Sequence, residues 1–300
     1  MSTIGDLRNK YKGDRAFILG NGPSLSEVPL SQLKSEYTFG MNKINKIYDD
    51  TTWRPSFYYC SVTPSHRDSP IEQVKENADQ GVKCILSSDY STILGEKKNI
   101  CYTRTESLFN STFHQLNQSE VRSISIDQLA QHWSDDIHNK IYHYHTMYGV
   151  IQLAAYMGFS ELYLLGCDLG LEYKDPHMIF ADALDPFRYE GSKISFAKAA
   201  FIDRTPIKSI INGLVALGIT NTHTNTVLSS IYNNTSNEHF TKDYIDSLRI
   251  HDGESVENEI VKSHIAAKRI CEKKGMNIYN LTPGGELDVY PRKDLSSVLD

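Results

Sequence analysis

Alternation between short apolar runs and amphipathic stretches constrains this chain more than any other feature. Candidate strands fall at Ala16 to Leu19, Tyr37 to Met41, Ser56 to Val62 and Val82 to Leu86, with polar or amphipathic segments between them. Short apolar runs alternating with amphipathic segments suit βα units building a mostly parallel sheet. A further unit follows. His145-Thr146 can cap a helix running from Tyr148 to Met157, with Val150, Leu153, Ala154 and Met157 on one face and Gly158 as its stop. The next run, Glu161 to Gly166, reads as a buried strand ending in Cys167-Asp168-Leu169-Gly170, where an open α/β sheet places ligand-binding groups.

The first strand leads into Gly20-Asn21-Gly22-Pro23-Ser24-Leu25. A glycine-rich turn leaving a strand exposes backbone N–H groups and lets a phosphate or ribose come close. The dinucleotide fingerprint fails because Leu25 stands at the third glycine position, and the Walker form fails because no Lys-Ser/Thr follows. Asn21 remains as both donor and acceptor. Ser24 either caps a helix over Ser26 to Leu33 or reaches a phosphate, and the plain alternative is a tight turn with a cap.

Charge narrows the partners. A net charge of −6 without a basic run argues against a nonspecific nucleic-acid surface and for a small-molecule partner. No apolar stretch approaches the roughly 20 residues that cross a bilayer, and the polar N-terminus lacks a signal-peptide core, so a cytoplasmic location is expected. Cys60, Cys84, Cys101, Cys167 and Cys271 lie far apart with no CxxC pair, which suits buried free thiols. His143 and His145 alternate on one strand face, but no third ligand stands at a metal-binding distance along the chain.

The pattern weakens from Gly170 to Gly253, read as an insertion that includes a helix from Pro206 to Leu217. Regular structure returns as a charged amphipathic helix over Ser255 to Lys274, on which His264 reads as a surface residue. A strand from Met276 to Asn280 and a turn at Thr282-Pro283-Gly284-Gly285 follow. The expected organisation is a core over 1–170, an inserted lid or acceptor region over 171–253, and a C-terminal helix and strand over 254–300 that rejoin the sheet.

Four stretches resemble a known family. GNGPSL after the first strand, Asn42 in FGMNKI after the second, the helix start from Thr146 to Gly149, and LYLLGCDL after that helix are similar to the family 42 sialyltransferases of bacteria. A related resemblance, to MptE-like proteins named after a 6-hydroxymethyl-7,8-dihydropterin pyrophosphokinase, rests on GMNIYNLTPGGELDVYPR and on the HFxxxY element from His239 to Tyr244. Together they cover roughly residues 14–62 and 145–170, and more weakly 237–293. The first resemblance implies a Rossmann-like sheet flanked by helices, in the GT-A-variant form of sialyltransferases, with an inserted acceptor or lid region.

It also implies a chemistry: metal-independent, inverting transfer of sialic acid, or a related nonulosonic acid, from a CMP-sugar to a glycan acceptor, without any separate cofactor. Asn21, Gly22, Ser24 and Asn42 inherit contacts to the nucleotide, Ser61 and Thr63 stand where another donor contact is expected, and Thr146 and Gly149 carry over from the helix start. Asp168 holds a hydroxyl or closes the strand end, and Arg67, after the third strand, can reach a sugar carboxylate. A general base must take the acceptor proton, for which His239 is the first choice ahead of His251 and His264, while Tyr173 and Tyr244 stabilise the departing phosphate. The acidic pairs Asp49-Asp50 and Asp135-Asp136 lack DxD spacing and read as solvated charge. Relatives often assemble as oligomers, so a homo-oligomer, at most peripheral to a membrane, is expected. The second resemblance implies instead a pterin pyrophosphokinase using ATP and Mg²⁺ with Asp168 as a ligand. A noncatalytic nucleotide-binding protein is the third class.

Overall fold

The computed structural model describes residues 3–65, 69–107, 125–143, 145–169 and 253–299. They belong to one compact unit, Met1–Gly170 with Glu254–Asp300; a second unit, Leu171–Gly253, falls outside them apart from its last residue. The expected Pro206 to Leu217 helix lies in that second unit.

Seven strands form one sheet, and every pair in it is parallel. In chain order they are β1 (Arg15–Leu19), β2 (Tyr37–Met41), β3 (Phe57–Cys60), β4 (Lys83–Ser87), β5 (Ile100–Thr103), β8 (Glu161–Leu165) and β9 (Asn277–Asn280); between β5 and β8, β6 (Thr105–Ser107) and β7 (Ile141–His143) make a separate parallel pair. The spatial order is β5-β4-β3-β2-β1-β8-β9. The chain therefore walks outward from β1 to β5 and then returns to lay β8 along the other side of β1. Ala16 pairs with Tyr37 on one side and Leu162 on the other. This reversal is the topological switch of a Rossmann-like α/β sheet, and the crevice beyond the carboxyl ends of β1 and β8 is where such sheets bind ligands.

Burial explains why these runs are strands. Ala16, Phe17, Ile18 and Leu19 are all fully buried, so β1 is covered on both faces, and its neighbour β8 and the more distant β3 are buried in the same way. One face packs Ala16, Ile18, Phe39, Leu162 and Leu164 against Val150, Leu153 and Met157 of the helix Thr146–Met157 and against Ala267 and Cys271 of the helix Gly253–Lys273. The first of these helices is buried almost throughout and ends where Gly158 takes a left-handed conformation at φ 91°. None of the five cysteines forms a disulfide, and Cys60, Cys84, Cys101 and Cys271 are buried.

Several local expectations are corrected. The Ser26 to Leu33 helix is instead two short 3₁₀ helices, Pro23–Glu27 and Leu30–Leu33. Pro29 separates them, and it drives Val28 out of the helical region, to ψ 124°. His143 and His145 are not two residues of one strand, because β7 ends at His143 and His145 is the N-cap of the following helix. Among the described residues no cluster of His, Cys, Asp and Glu has metal-ligand geometry, and no helix is long and apolar enough to cross a membrane.

Candidate nucleotide crevice

The turn after β1 is built against the end of β8. Gly20 donates its N–H to Leu165 O at 2.8 Å, and Gly22 donates to Gly166 O at 2.9 Å. A β-carbon on Gly20 would stand 2.3 Å from Gly166 O, and one on Gly22 would stand 1.9 Å from Asp168 Oδ2. Both glycines are thus required by a neighbouring segment of the protein itself. The N–H of Ser24 donates to Asp168 Oδ1 at 3.3 Å, its hydroxyl donates to Asp168 Oδ2 at 2.9 Å, and Leu25 N–H returns to Gly22 O at 3.1 Å.

These bonds bear on the expectation that the turn offers backbone donors to a phosphate. The N–H groups of Gly20, Gly22, Ser24 and Leu25 are engaged within the fold, and Pro23 has none. Ser24 is not a helix cap either, since Gly22 occupies the N-cap and the Ser24 hydroxyl crosses to Asp168. Burial lifts the Asp168 carboxyl above its ordinary range, against the opposing pull of the two hydrogen bonds from Ser24.

Side chains make the remaining wall. Asn21 donates from Nδ2 to Met41 O at 3.2 Å, tying the turn to the end of β2. Asn42, the next residue, sits in the left-handed region at φ 51°, a conformation Asn tolerates better than most residues. Its N–H donates to Tyr59 O at 3.3 Å, its carbonyl accepts from the Tyr58 hydroxyl at 2.5 Å, and its Nδ2 donates to Thr146 Oγ1 at 3.1 Å. Asn42 therefore joins β2, β3 and the first turn of the Thr146 helix. Its Oδ1 is buried and has no hydrogen-bond partner among the described residues.

Ser61, buried, and Thr63, whose hydroxyl lies 3.3 Å from Ser65 Oγ, follow β3. The space left by Gly149 is filled by the protein, because a β-carbon there would stand 2.7 Å from the Tyr59 hydroxyl oxygen. That hydroxyl is fully buried, has no partner among the described residues, and is held neutral by desolvation that pushes its pKa far upward.

Sequence reasoning missed the contribution of the C-terminal loop. Cys167 N–H donates to Thr282 Oγ1 at 3.0 Å, and Glu286 N–H donates to Asp168 O at 2.7 Å and to Leu169 O at 2.9 Å. Gly285, at φ 69°, passes so close that a β-carbon would lie 2.1 Å from Asp168 O. Arg292 fixes this loop with a fork of donors, to Thr282 O at 3.1 Å, Gly284 O at 2.6 Å and Gly285 O at 2.7 Å. The Thr-Pro-Gly-Gly turn was visible in the sequence; its partner was not.

His264 is buried rather than on the surface. Its Nδ1 lies 2.9 Å from the Tyr290 hydroxyl, which also lies 3.2 Å from the His264 carbonyl oxygen. Burial pushes its pKa down to about 3, and its ring centroid lies 4.9 Å from that of His145. The acidic pairs belong to the surface. Asp135 meets Lys274 at 2.6 Å, while Asp49 and Asp50 line a shallow depression with Arg54.

The structure thus gathers Asn21, Gly22, Ser24, Asn42, Thr146 and Asp168 along one stretch of the sheet's carboxyl edge, with Ser61 and Thr63 following β3 at that edge. Arg67, Tyr173, His239, Tyr244 and His251 lie outside the described residues. No protein-family model and no curated protein matches the chain. Among solved structures it is similar to the sialyltransferase CstII from Campylobacter jejuni, determined in complex with a substrate analogue, cytidine-5'-monophosphate: 18% identity, a TM-score of 0.23, and coverage of 58% of this chain and 75% of that one.

Proposed function

We propose that this chain is a metal-independent inverting glycosyltransferase that moves sialic acid, or a related nonulosonic acid, from a CMP-sugar to a glycan acceptor of a surface polysaccharide or lipopolysaccharide. One observation carries the reading. At the switch point of a parallel sheet, Asn21 and Asn42 place two side-chain amides beside the start of the Thr146 helix, a polar wall suited to a nucleotide's base, ribose and phosphate. In this proposal the acceptor hydroxyl attacks the anomeric carbon as the bond to the CMP phosphate breaks. His239 takes the hydroxyl proton, and Tyr173 and Tyr244 donate hydrogen bonds to the departing phosphate.

A thermal-shift screen with CMP, CDP, UDP, GDP and ATP, each with and without Mg²⁺, tests the donor class. Stabilisation by CMP without metal is expected. Stabilisation by ATP alone, and only with Mg²⁺, would replace the glycosyltransferase with a pyrophosphokinase. His239→Ala should abolish transfer while leaving CMP binding intact; retained transfer would move the base to another residue.

A further inference from the structure

We infer that Asp168 is a positioning residue, a clasp that holds the glycine turn and the C-terminal loop in register at the switch point, and does not itself contact the ligand. The inference builds on the nucleotide-crevice reading. Each carboxylate oxygen of Asp168 already accepts from Ser24, Oδ1 from the N–H and Oδ2 from the hydroxyl. Its main-chain carbonyl accepts from Glu286. Bare glycines at 22 and 285 press against it from two sides, at positions where a β-carbon would overlap its side chain and its backbone respectively. One residue thus joins segments near 24, 168 and 286 of the chain. A carboxylate engaged in this way sets the turn's geometry, and Asn21, within the same turn and bonded to Met41 O, is the group whose position it fixes.

The test is a double-mutant cycle on CMP affinity in the full chain, using Ser24→Ala, Asp168→Ala and the pair, with Ser24→Thr as the conservative variant. Each single alanine variant should weaken CMP binding about tenfold, the scale of losing a hydrogen bond to a charged acceptor. If Asp168 acts through Ser24, Ser24→Ala adds nothing to Asp168→Ala, and Ser24→Thr keeps wild-type affinity because the hydroxyl is retained. Losses that multiply in the double variant would put Asp168 on the ligand and overturn the inference, as would a Ser24→Ala protein with unchanged affinity beside a weakened Asp168→Ala.

Hydrogen exchange of the amides at 20–25 separates this failure from failure of the nucleotide reading. Wild-type protein that does not bind CMP would sink the donor assignment alone, and faster exchange at these amides in both alanine variants would still establish the clasp. Unchanged exchange in folded Asp168→Ala would overturn it whatever CMP does.

Discussion

Substituting Gly22 by alanine tests whether the ends of β1 and β8 meet as described. Gly22 has an ordinary backbone conformation, φ −70°, so alanine brings no torsional penalty there. The whole effect must come from space. The new β-carbon would lie 1.9 Å from Asp168 Oδ2, 2.8 Å from Asp168 Cγ and 2.8 Å from Gly166 O. The carboxyl can swing away only by giving up its bonds to Ser24, which costs about 1.5–3 kcal/mol, and Gly166 O is main chain with no such freedom. Adding the usual cost of overpacking, ~1–3 kcal/mol, gives a destabilisation of about 2.5–6 kcal/mol. For a chain of this size that lowers the melting temperature by about 4–10 °C. Scanning calorimetry reads the shift directly, with Gly5→Ala as control, since the nearest atom to a β-carbon there is Thr3 Oγ1 at 3.4 Å. The control should melt with the parent. A Gly22→Ala protein melting within about 2 °C of the parent, under the same scaling, would refute the contact. The double change Gly22→Ala with Asp168→Ala should recover part of the loss, because it removes the carboxyl but leaves Gly166 O in place.

Three further outcomes follow from the same geometry. Tyr59→Phe removes a buried hydroxyl with no partner among the described residues, so urea unfolding should show it unchanged or up to about 1 kcal/mol more stable; a clear loss would mean the hydroxyl is paired. Arg292→Lys should destabilise by about 1.5–3 kcal/mol, because a single ammonium nitrogen on a shorter stem cannot span the carbonyls that two guanidinium nitrogens reach, and denaturant unfolding that matches the parent would refute this. His264 stays neutral down to about pH 3 in the folded chain, whereas an unfolded histidine takes up a proton below about 6.5. Stability from this group is therefore full above 6.5 and falls as the pH drops below it, by about 1.4 kcal/mol at pH 5.5. His264→Gln should flatten that part of the stability profile; an unchanged slope would remove His264 as its source.

The strands were legible because parallel strands buried on both faces must be continuous apolar runs, and β2 stands where Tyr37 to Met41 predicts it. Asn21 and Asn42 were legible as residues of the sheet's carboxyl edge because each closely follows a strand. The work done by the glycines was not. A glycine that admits a ligand and one that admits a neighbouring backbone look identical in sequence, and the partner of Gly22 lies at Asp168, far along the chain. The same long reach hid the tie between Cys167 and Thr282 and the fork of Arg292. His264 is a different lesson. Its charged neighbours suggested a surface position, yet Ala267 and Cys271 follow it at helical spacing, and that stripe is the buried one.

The seam between β8 and β9 bears on how this architecture can vary. These strands lie side by side, Leu162 opposite Ile278, although residues 166–276 separate them in the chain. For the closure of the β8–β9 pair the intervening residues are one connection, and doubling a flexible connection's length costs only about 0.6 kcal/mol of closure entropy. By closure entropy alone, a change in the length of the 170–252 stretch costs the β8–β9 pairing little. The clasp at Asp168, by contrast, tolerates almost none, so divergence among chains of this kind should concentrate between β8 and the Gly253 helix while the switch point keeps its form.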